Sequence, residues 1–394
     1  MTIRAVRAIP LRCPLPPDRR PVSDFGRQDR FDTLLVAVTA EQGLTGFGEA
    51  KASVGSMADL ESLAAAVEKT LAPLLVGRDA REITGLWELM YAGPRAGYAL
   101  RTGRPMPMAD RRGTRVAALG GIDMALWDLY GQYVGLPVFR LLGGPVRTRV
   151  PVYASGGWAG PERIGEELAA YRAFGGFAAF KIRVGVMDGS LGRAVARVAA
   201  ARDALAPDDE LYADAHGTMS VAEAKAFLAA TAPYRLGFFE EPTPVDDLEA
   251  LREVRAVAAV PVAAGESEAT RFGFRDLILT GGVDIVQPDP ALCGGITETV
   301  RIAALAGAHL RVVVPHLWGS AVLFAAGLQL AAALPNVVRL EYPMAGHPAF
   351  HDLLETPFVP EQGEVAVPDR PGLGITVREE FVERFRTDGR RGIL

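Results

Sequence analysis

From Val150 onward the chain alternates strand-like and helix-like runs, and that rhythm restricts its fold more than anything else in it. The strand candidates are VPVYAS (150–155), AAFKIRV (178–184), LYAD (211–214), GFFEE (237–241), PVAAGE (261–266), VDIVQPD (283–289), RVVVPH (311–316) and VVRLEY (337–342). Between them lie runs with helical spacing, such as PERIGEELAAYRAFG and TETVRIAALAGAH. Eight strands at a pitch of roughly 25–30 residues predict a (β/α)8 barrel. The alternation also suits an open, doubly wound sheet. The barrel is preferred because so many strands end in polar, chemically capable residues. A barrel gathers those ends at one mouth, whereas an open sheet spreads them along an edge. After the eighth strand only AGHPAFHDLLE follows, so a reduced helix is expected there.

Three of the runs share one design. LYADAH, LGFFEEP and VPVAAGE are apolar and end in an acid: Asp214, Glu240 and Glu266. Carboxylates delivered to one end by consecutive strands suit a hard divalent cation such as Mg2+, which takes carboxylate and water oxygens in an octahedral shell. A cation there would bind a substrate carboxylate and stabilise the enediolate formed as the α-proton leaves. The remaining strand ends present Lys181, Arg183, His216, Asp289, His316 and Glu341. Strand alternation sends Lys181 and Arg183 to one side, and Asp214 and His216 likewise. His316 is the expected base, oriented by Asp289 at the end of the preceding strand. Lys181 is expected to pair with the substrate carboxylate or to act as a second base. Arg183 can hold an anion, but its guanidinium does not deprotonate at working pH. His216 stands as metal ligand, core histidine or general acid. Glu341 stands as a donor to the enediolate if protonated, or as an ion-pair partner of Lys181 or Arg339.

The N-terminal third reads differently. Residues 3–12 and 33–40 look like two strands of a small antiparallel sheet. Between them PLPPDRRPVSDFGRQDR is a long polar loop whose Arg19, Arg20 and Arg27 are candidate substrate-binding residues. GLTGFGEAKASVGSM reads as a turn and a second loop, and ADLESLAAAVEKTLAPLLVG and REITGLWELMY as helices. The segment AGPRAGYALRTGRPMPMADRRG is expected to be irregular, with Arg95, Arg101, Arg104, Arg111 and Arg112 extending the substrate-facing surface. A helix from Val116 carries Asp123 and Asp128, which do not share a helical face and are read as structural or solvated. His347 and His351 follow strand eight in a loop that could line the pocket. The tail should form a short strand and a polar helix that pack on the N-terminal region without extending the barrel.

A net charge of -5 argues against a nucleic-acid partner. Cys13 and Cys293 form neither a disulfide framework nor a zinc motif, and a reducing cytoplasm is the expected setting. The N-terminal segment is too broken by Arg and Pro for a signal peptide, and no apolar run is long enough to span a membrane.

Taken together, FKIR (180–183), DAHG (214–217), FFEEPTP (238–244), AAGES (263–267), VQPDPALCGGIT (286–297), VPHLWGS (314–320) and RLEYP (339–343) resemble the mandelate racemase subgroup of the enolase superfamily. GIDMALWDLYGQYVGLPVFRLLGG (121–144) resembles the helix leading from that family's cap into its barrel. The resemblance implies a modified TIM barrel, (β/α)7β, over residues 126–354, and an α+β capping domain from residues 1–125 plus 355–394. It further implies Mg2+ on Asp214, Glu240 and Glu266, an Asp289–His316 base, a lid from the loops at 15–31 and 51–57, and a homo-oligomer, often an octamer. Many members carry Lys-x-Lys on the second barrel strand, where this chain has Lys181 and Arg183. That departure weakens a racemase reading. Asp214-x-His216 is similar to the pattern of acid-sugar dehydratases, so dehydration of an aldonic or aldaric acid is the expected reaction. Racemase, epimerase or cycloisomerase chemistry is the alternative, and a silent acid-sugar binder a remote one.

Overall fold

The computed structural model describes residues 1–17, 20–23, 26–51, 59–104 and 112–392. Strands β1 (Ile3–Pro14), β4 (Arg30–Ala40) and β5 (Thr45–Ala50) form an antiparallel sheet in the order β1-β4-β5, with a short hairpin of β2 (Val22–Ser23) and β3 (Gly26–Arg27) between the first two. Only two of these long strands are legible in the sequence. The third, TGFGEA, has glycine where strand alternation would place side chains. Those glycines answer to packing. The helix Thr114–Val134 lies so close on β5 that a Cβ at Gly46 would stand 2.1 Å from the Ala125 carbonyl oxygen, and one at Gly48 would stand 2.0 Å from that of Gly121.

The catalytic-scale architecture is a closed barrel. Strands β6 (Arg149–Ser155), β7 (Ala179–Arg183), β8 (Glu210–Asp214), β9 (Phe239–Glu240), β10 (Val262–Ala264), β11 (Ile285–Val286), β12 (Val312–Val313) and β13 (Leu340–Pro343) pair in sequence order, all parallel. β13 pairs with β6 and a bridge joins Val313 to Val337, so the sheet has no free edge there and the doubly wound alternative falls away. One turn of helix, Pro348–His351, follows β13, the reduced helix expected.

Alternation along the strands sorts the barrel into layers. Tyr153, Tyr212 and Phe238 point inward and form an aromatic floor, with Tyr212 and Phe238 stacked at 4.0 Å between centroids. Two residues further along their strands, Ser155, Asp214 and Glu240 stand above that floor. The residues between, including Ala213 and Phe239, face outward into the main core under the helices.

The tail differs from expectation. Its strand β14 (Glu364–Ala366) pairs antiparallel with Arg149–Pro151 of β6, adding a strand to the barrel sheet. β6 begins before its parallel neighbours, so its first residues offer unpaired backbone for the tail to fill. The last helix, Glu379–Phe385, returns to the cap, where Arg386 bridges Leu11 and Thr387 N donates to Pro10 O at 3.0 Å. The segment 96–102, expected to be irregular, is helical.

Asp123 and Asp128 are buried in Thr114–Val134 and point to different partners. Asp123 accepts from Thr297 N at 2.8 Å and Thr297 Oγ1 at 2.6 Å, tying the helix to the barrel. Asp128 accepts from Phe47 N at 2.8 Å and Leu373 N at 2.7 Å, tying it to β5 and the tail. The helix is continuous across 125/126, where the sequence suggested a domain division.

Candidate active site

The mouth of the barrel is a ring of buried charge. Lys181 is fully buried and its Nζ meets Glu240 at 2.8 and 2.9 Å, Glu341 at 2.9 Å and Asp214 at 3.3 Å. Arg183 pairs with Asp214 and lies over the Trp318 ring. Glu341 also accepts from Ser155 Oγ at 2.7 Å and Leu317 N at 2.9 Å. Burial opposes its ionisation, but Lys181 foremost, with Arg183, outweighs burial and holds the carboxyl below the usual range. Glu341 is therefore the ion-pair partner of Lys181, not a protonated donor, and Arg339 turns away to Glu210 at 2.6 Å.

His316 Nδ1 stands 2.8 Å from Asp289 Oδ2, and its Nε2 faces Glu266 at 3.6 Å and Glu341 at 3.9 Å. Burial, and then Lys51, lower the imidazole pKa against the pull of Glu341 and Asp289, so the ring is neutral and fit to accept a proton at pH 7. Burial disfavours the Asp289 carboxylate too. Lys51 and His316 overcome this and keep it ionised.

His216 reaches the ring by a route other than strand alternation. β8 stops at Asp214, and His216 follows in a left-handed turn at φ 44°. Its backbone N–H donates to Asp214 Oδ1 at 3.0 Å, and its Nε2 lies 3.4 Å from Asp214 Oδ2. A non-glycine residue held at positive φ is uncommon and is found at functional turns. One ligand atom each from Asp214, His216 and Glu266 lies within 4.8 Å of the others, an arrangement able to hold a metal ion, whereas Glu240, the third acid expected to bind it, turns both oxygens to Lys181 and is outside that cluster. Glu266 Oε2 is buried without a hydrogen-bond partner, whereas Asp214 Oδ2 is met by Arg183 and, at 3.3 Å, by Lys181 Nζ. Burial, reinforced by Glu241 and Glu240, raises the Glu266 pKa well above normal. A crowded carboxylate with an open oxygen, as at Glu266, is what a hard cation relieves, so the donor set fits a divalent ion. A cavity of about 300 Å³ lined by His216, Gly217, Glu241, Glu266 and Ser267 opens beside them.

Sequence reasoning missed four residues of this region. Glu49 and Lys51 come from β5 and its end. Lys51 Nζ donates to Asp289 Oδ2 and Trp318 O, both at 2.8 Å. Glu49 is fully buried, and both its carboxylate oxygens accept from Ser320 N at 3.0 Å. Glu241 is buried at φ 38°, with burial and Glu240 pushing its pKa up to about 8. Trp318 packs edge-on against Trp158. A charged pair spaced by one residue at the end of an apolar strand, GEAK, was the available signal.

The cap arginines are less central. Arg19 and Arg111 lie outside the described residues, as do residues 52–57 of the second lid segment. Arg20 donates to Leu15 O at 2.9 Å and lines a cavity of about 770 Å³ with Trp158, Arg163, Tyr171 and His351, to which none of the strand-end residues contributes. Arg27 is exposed. Arg112 pairs with Asp246 and Glu268. His347 is buried, stacked on Phe31 at 3.9 Å, and caps the turn Pro348–His351. Among the described residues, no helix is long and apolar enough to cross a membrane.

Residues 12–143 match the mandelate racemase/muconate lactonizing enzyme N-terminal domain, and residues 163–381 the enolase C-terminal domain-like family. The D-galactarolactone cycloisomerase of Agrobacterium fabrum is 35% identical, covering 91% of this chain and 93% of that protein. The D-galactonate dehydratase of Ralstonia pickettii is 35% identical, covering 89% and 90%. A Streptomyces coelicolor racemase with bound magnesium superposes with a TM-score of 0.85 at 29% identity, covering 98% and 100%. A capped barrel with this ring at its mouth defines an enzyme that acts on carbon acids. The chain belongs to the mandelate racemase/muconate lactonizing enzyme family of the enolase superfamily.

Proposed function

We propose that the protein removes the proton α to the carboxylate of an acid sugar and then eliminates the β-hydroxyl, giving a 2-keto-3-deoxy acid. Asp214, Glu240 and Glu266 would hold Mg2+. When bound, the ion supplies charge stabilisation to the substrate carboxylate as it becomes an enediolate. His316 Nε2 takes the α-proton while Asp289 steadies Nδ1. The Lys181 ammonium, already among three carboxylates, balances the charge that develops. His216 delivers a proton to the departing hydroxyl, which leaves as water, and the enol tautomerises to the ketone.

One observation carries the choice of dehydration. His316 faces Glu266, and His216 stands beside Asp214 in a left-handed turn, so two imidazoles flank one acidic cluster. The second residue of the Lys-x-Arg pair cannot serve as an opposing base. A cycloisomerase reading is favoured by the equally similar Agrobacterium relative. The capping region is assigned to the N-terminal sheet, its helices and the terminal helix, and the active form to a cytoplasmic homo-oligomer.

Screening aldonic and aldaric acids and their lactones with Mg2+ tests the reading. Release of a 2-keto acid is expected. A 2-keto acid released from a lactone but not from the open-chain acids assigns cycloisomerisation, and solvent deuterium at Cα with no 2-keto acid from either assigns epimerisation. His216→Asn should leave α-deuterium exchange within about threefold of wild type while slowing ketone release about 100-fold. Equal ketone release by the variant removes His216 from the acid role.

A further inference from the structure

We propose that Lys51, delivered by the cap, is a positioning residue for the base. Its ammonium fixes Asp289 so that Asp289 can fix His316. The inference rests on His316 being the base, and it gives the cap a part in proton removal as well as in enclosing substrate.

The geometry is specific. Asp289 has two oxygens and each is committed. Oδ1 accepts from Ala291 N at 2.8 Å, capping the helical turn Pro290–Cys293. Oδ2 is shared by His316 Nδ1 and Lys51 Nζ, each at 2.8 Å. Lys51 also donates to Trp318 O, two residues past His316. One bond therefore reaches the carboxylate that orients the imidazole, and another reaches the backbone that carries it. Glu49, two residues earlier and within β5, grips the far end of that segment. It accepts from Ser320 N at 3.0 Å and Leu323 N at 3.3 Å, and it is braced within the cap by Thr33 Oγ1 at 2.8 Å. The segment from His316 to Ser320 is thus held at both ends by one cap strand. Lys51 is only 5% exposed. Burying an ammonium is costly unless it is paired and hydrogen-bonded, and here both conditions are met by groups of the base assembly. A lysine that merely neutralised Asp289 would not need the second bond to Trp318 O.

The test uses the full-length, Mg2+-loaded protein. In 15N-histidine-labelled protein the hydrogen-bonded Nδ1–H of His316 gives a downfield proton signal, assigned by its absence in His316→Asn. Lys51→Met should broaden or remove that signal while the protein remains folded by circular dichroism. With the acid sugar that the wild type turns over, kcat for α-proton exchange should fall about 10- to 100-fold with KM nearly unchanged. In Lys51→Ala, methylamine should restore part of the signal and of kcat, and bulkier amines less. An unaltered His316 signal in both variants overturns the proposal, as does a fall in kcat that methylamine does not relieve in Lys51→Ala. The nuclear resonance readout needs no substrate. If the signal responds to Lys51 while no acid sugar exchanges its α-proton, the positioning stands and the functional reading fails.

Discussion

On the side of the ring built by β10, Glu266 keeps a buried oxygen with no hydrogen-bond partner and is pushed toward its neutral form. On the side built by β11, β12 and β13, Asp289 and Glu341 have both oxygens filled, by Ala291 N, Lys51 and His316 in the one case and by Ser155, Lys181 and Leu317 N in the other. Both sides are equally buried, so burial alone does not separate them. The difference lies in whether the compensating charge is built into the chain. One side is completed from within and holds its geometry in advance. The other is left short of positive charge and is completed by something that arrives, which is how a site for a removable cation must be built.

The largest effect should come from breaking the completed side at its reactive atom. His316→Asn is expected to lower α-proton exchange by about 100- to 10,000-fold, the range for loss of a positioned base. Mg2+ binding, followed by isothermal calorimetry, should stay close to wild type. Exchange that persists in the variant would assign the base elsewhere.

A paired substitution sharpens the contrast further. Asp289→Asn strips the buried Lys51 ammonium of its counter-charge and should destabilise the protein by about 3–5 kcal/mol. Glu266→Gln relieves crowding among carboxylates. It should raise the unfolding midpoint of the metal-free protein, by about 1 kcal/mol of stability, and abolish the further rise that Mg2+ gives wild type. Opposite signs for two buried acids of one ring are the signature of the asymmetry. The same sign in both would show that the two sides are compensated alike.

What the sequence revealed follows the same division. Residues that end barrel strands were legible, because a period of two and a shared strand end give them a common address: Lys181, Asp214, Glu240, Glu266, Asp289, His316 and Glu341 all stand at the mouth. Residues placed by contact between distant segments were not. β5 was hidden because Gly46 and Gly48 answer to the helix that lies on them, not to strand propensity. Lys51 is 238 residues from the Asp289 it serves, and the GEAK spacing marks a charged pair without marking which acid it meets. His216 was placed correctly near Asp214 for an incomplete reason, since a left-handed turn and not alternation returns its ring to the acids. The tail's pairing with β6 depends on how early that strand starts relative to its neighbours, which no periodicity reports.

A separate effect is expected away from the ring, at Asp123, and it should be visible as a slope more than an offset. Burial, against the hydrogen bonds from Thr297, pushes this carboxyl up to about 7 in the folded protein, from 3.8 when exposed. Between those values the folded chain holds a proton that the unfolded chain has lost. Stability therefore falls as pH rises through that window, by at most about 1.4 kcal/mol per pH unit from this group. Asp123→Asn copies the protonated form in shape and keeps an acceptor for Thr297 N. Near pH 4 the variant should match wild type within about 1 kcal/mol in urea denaturation. Toward pH 7 the wild type should lose ground to it steadily. Parallel pH profiles would mean that Thr297 holds the Asp123 charge as well as water does, and that the tie between cap helix and barrel is an ionised one like the completed side of the ring.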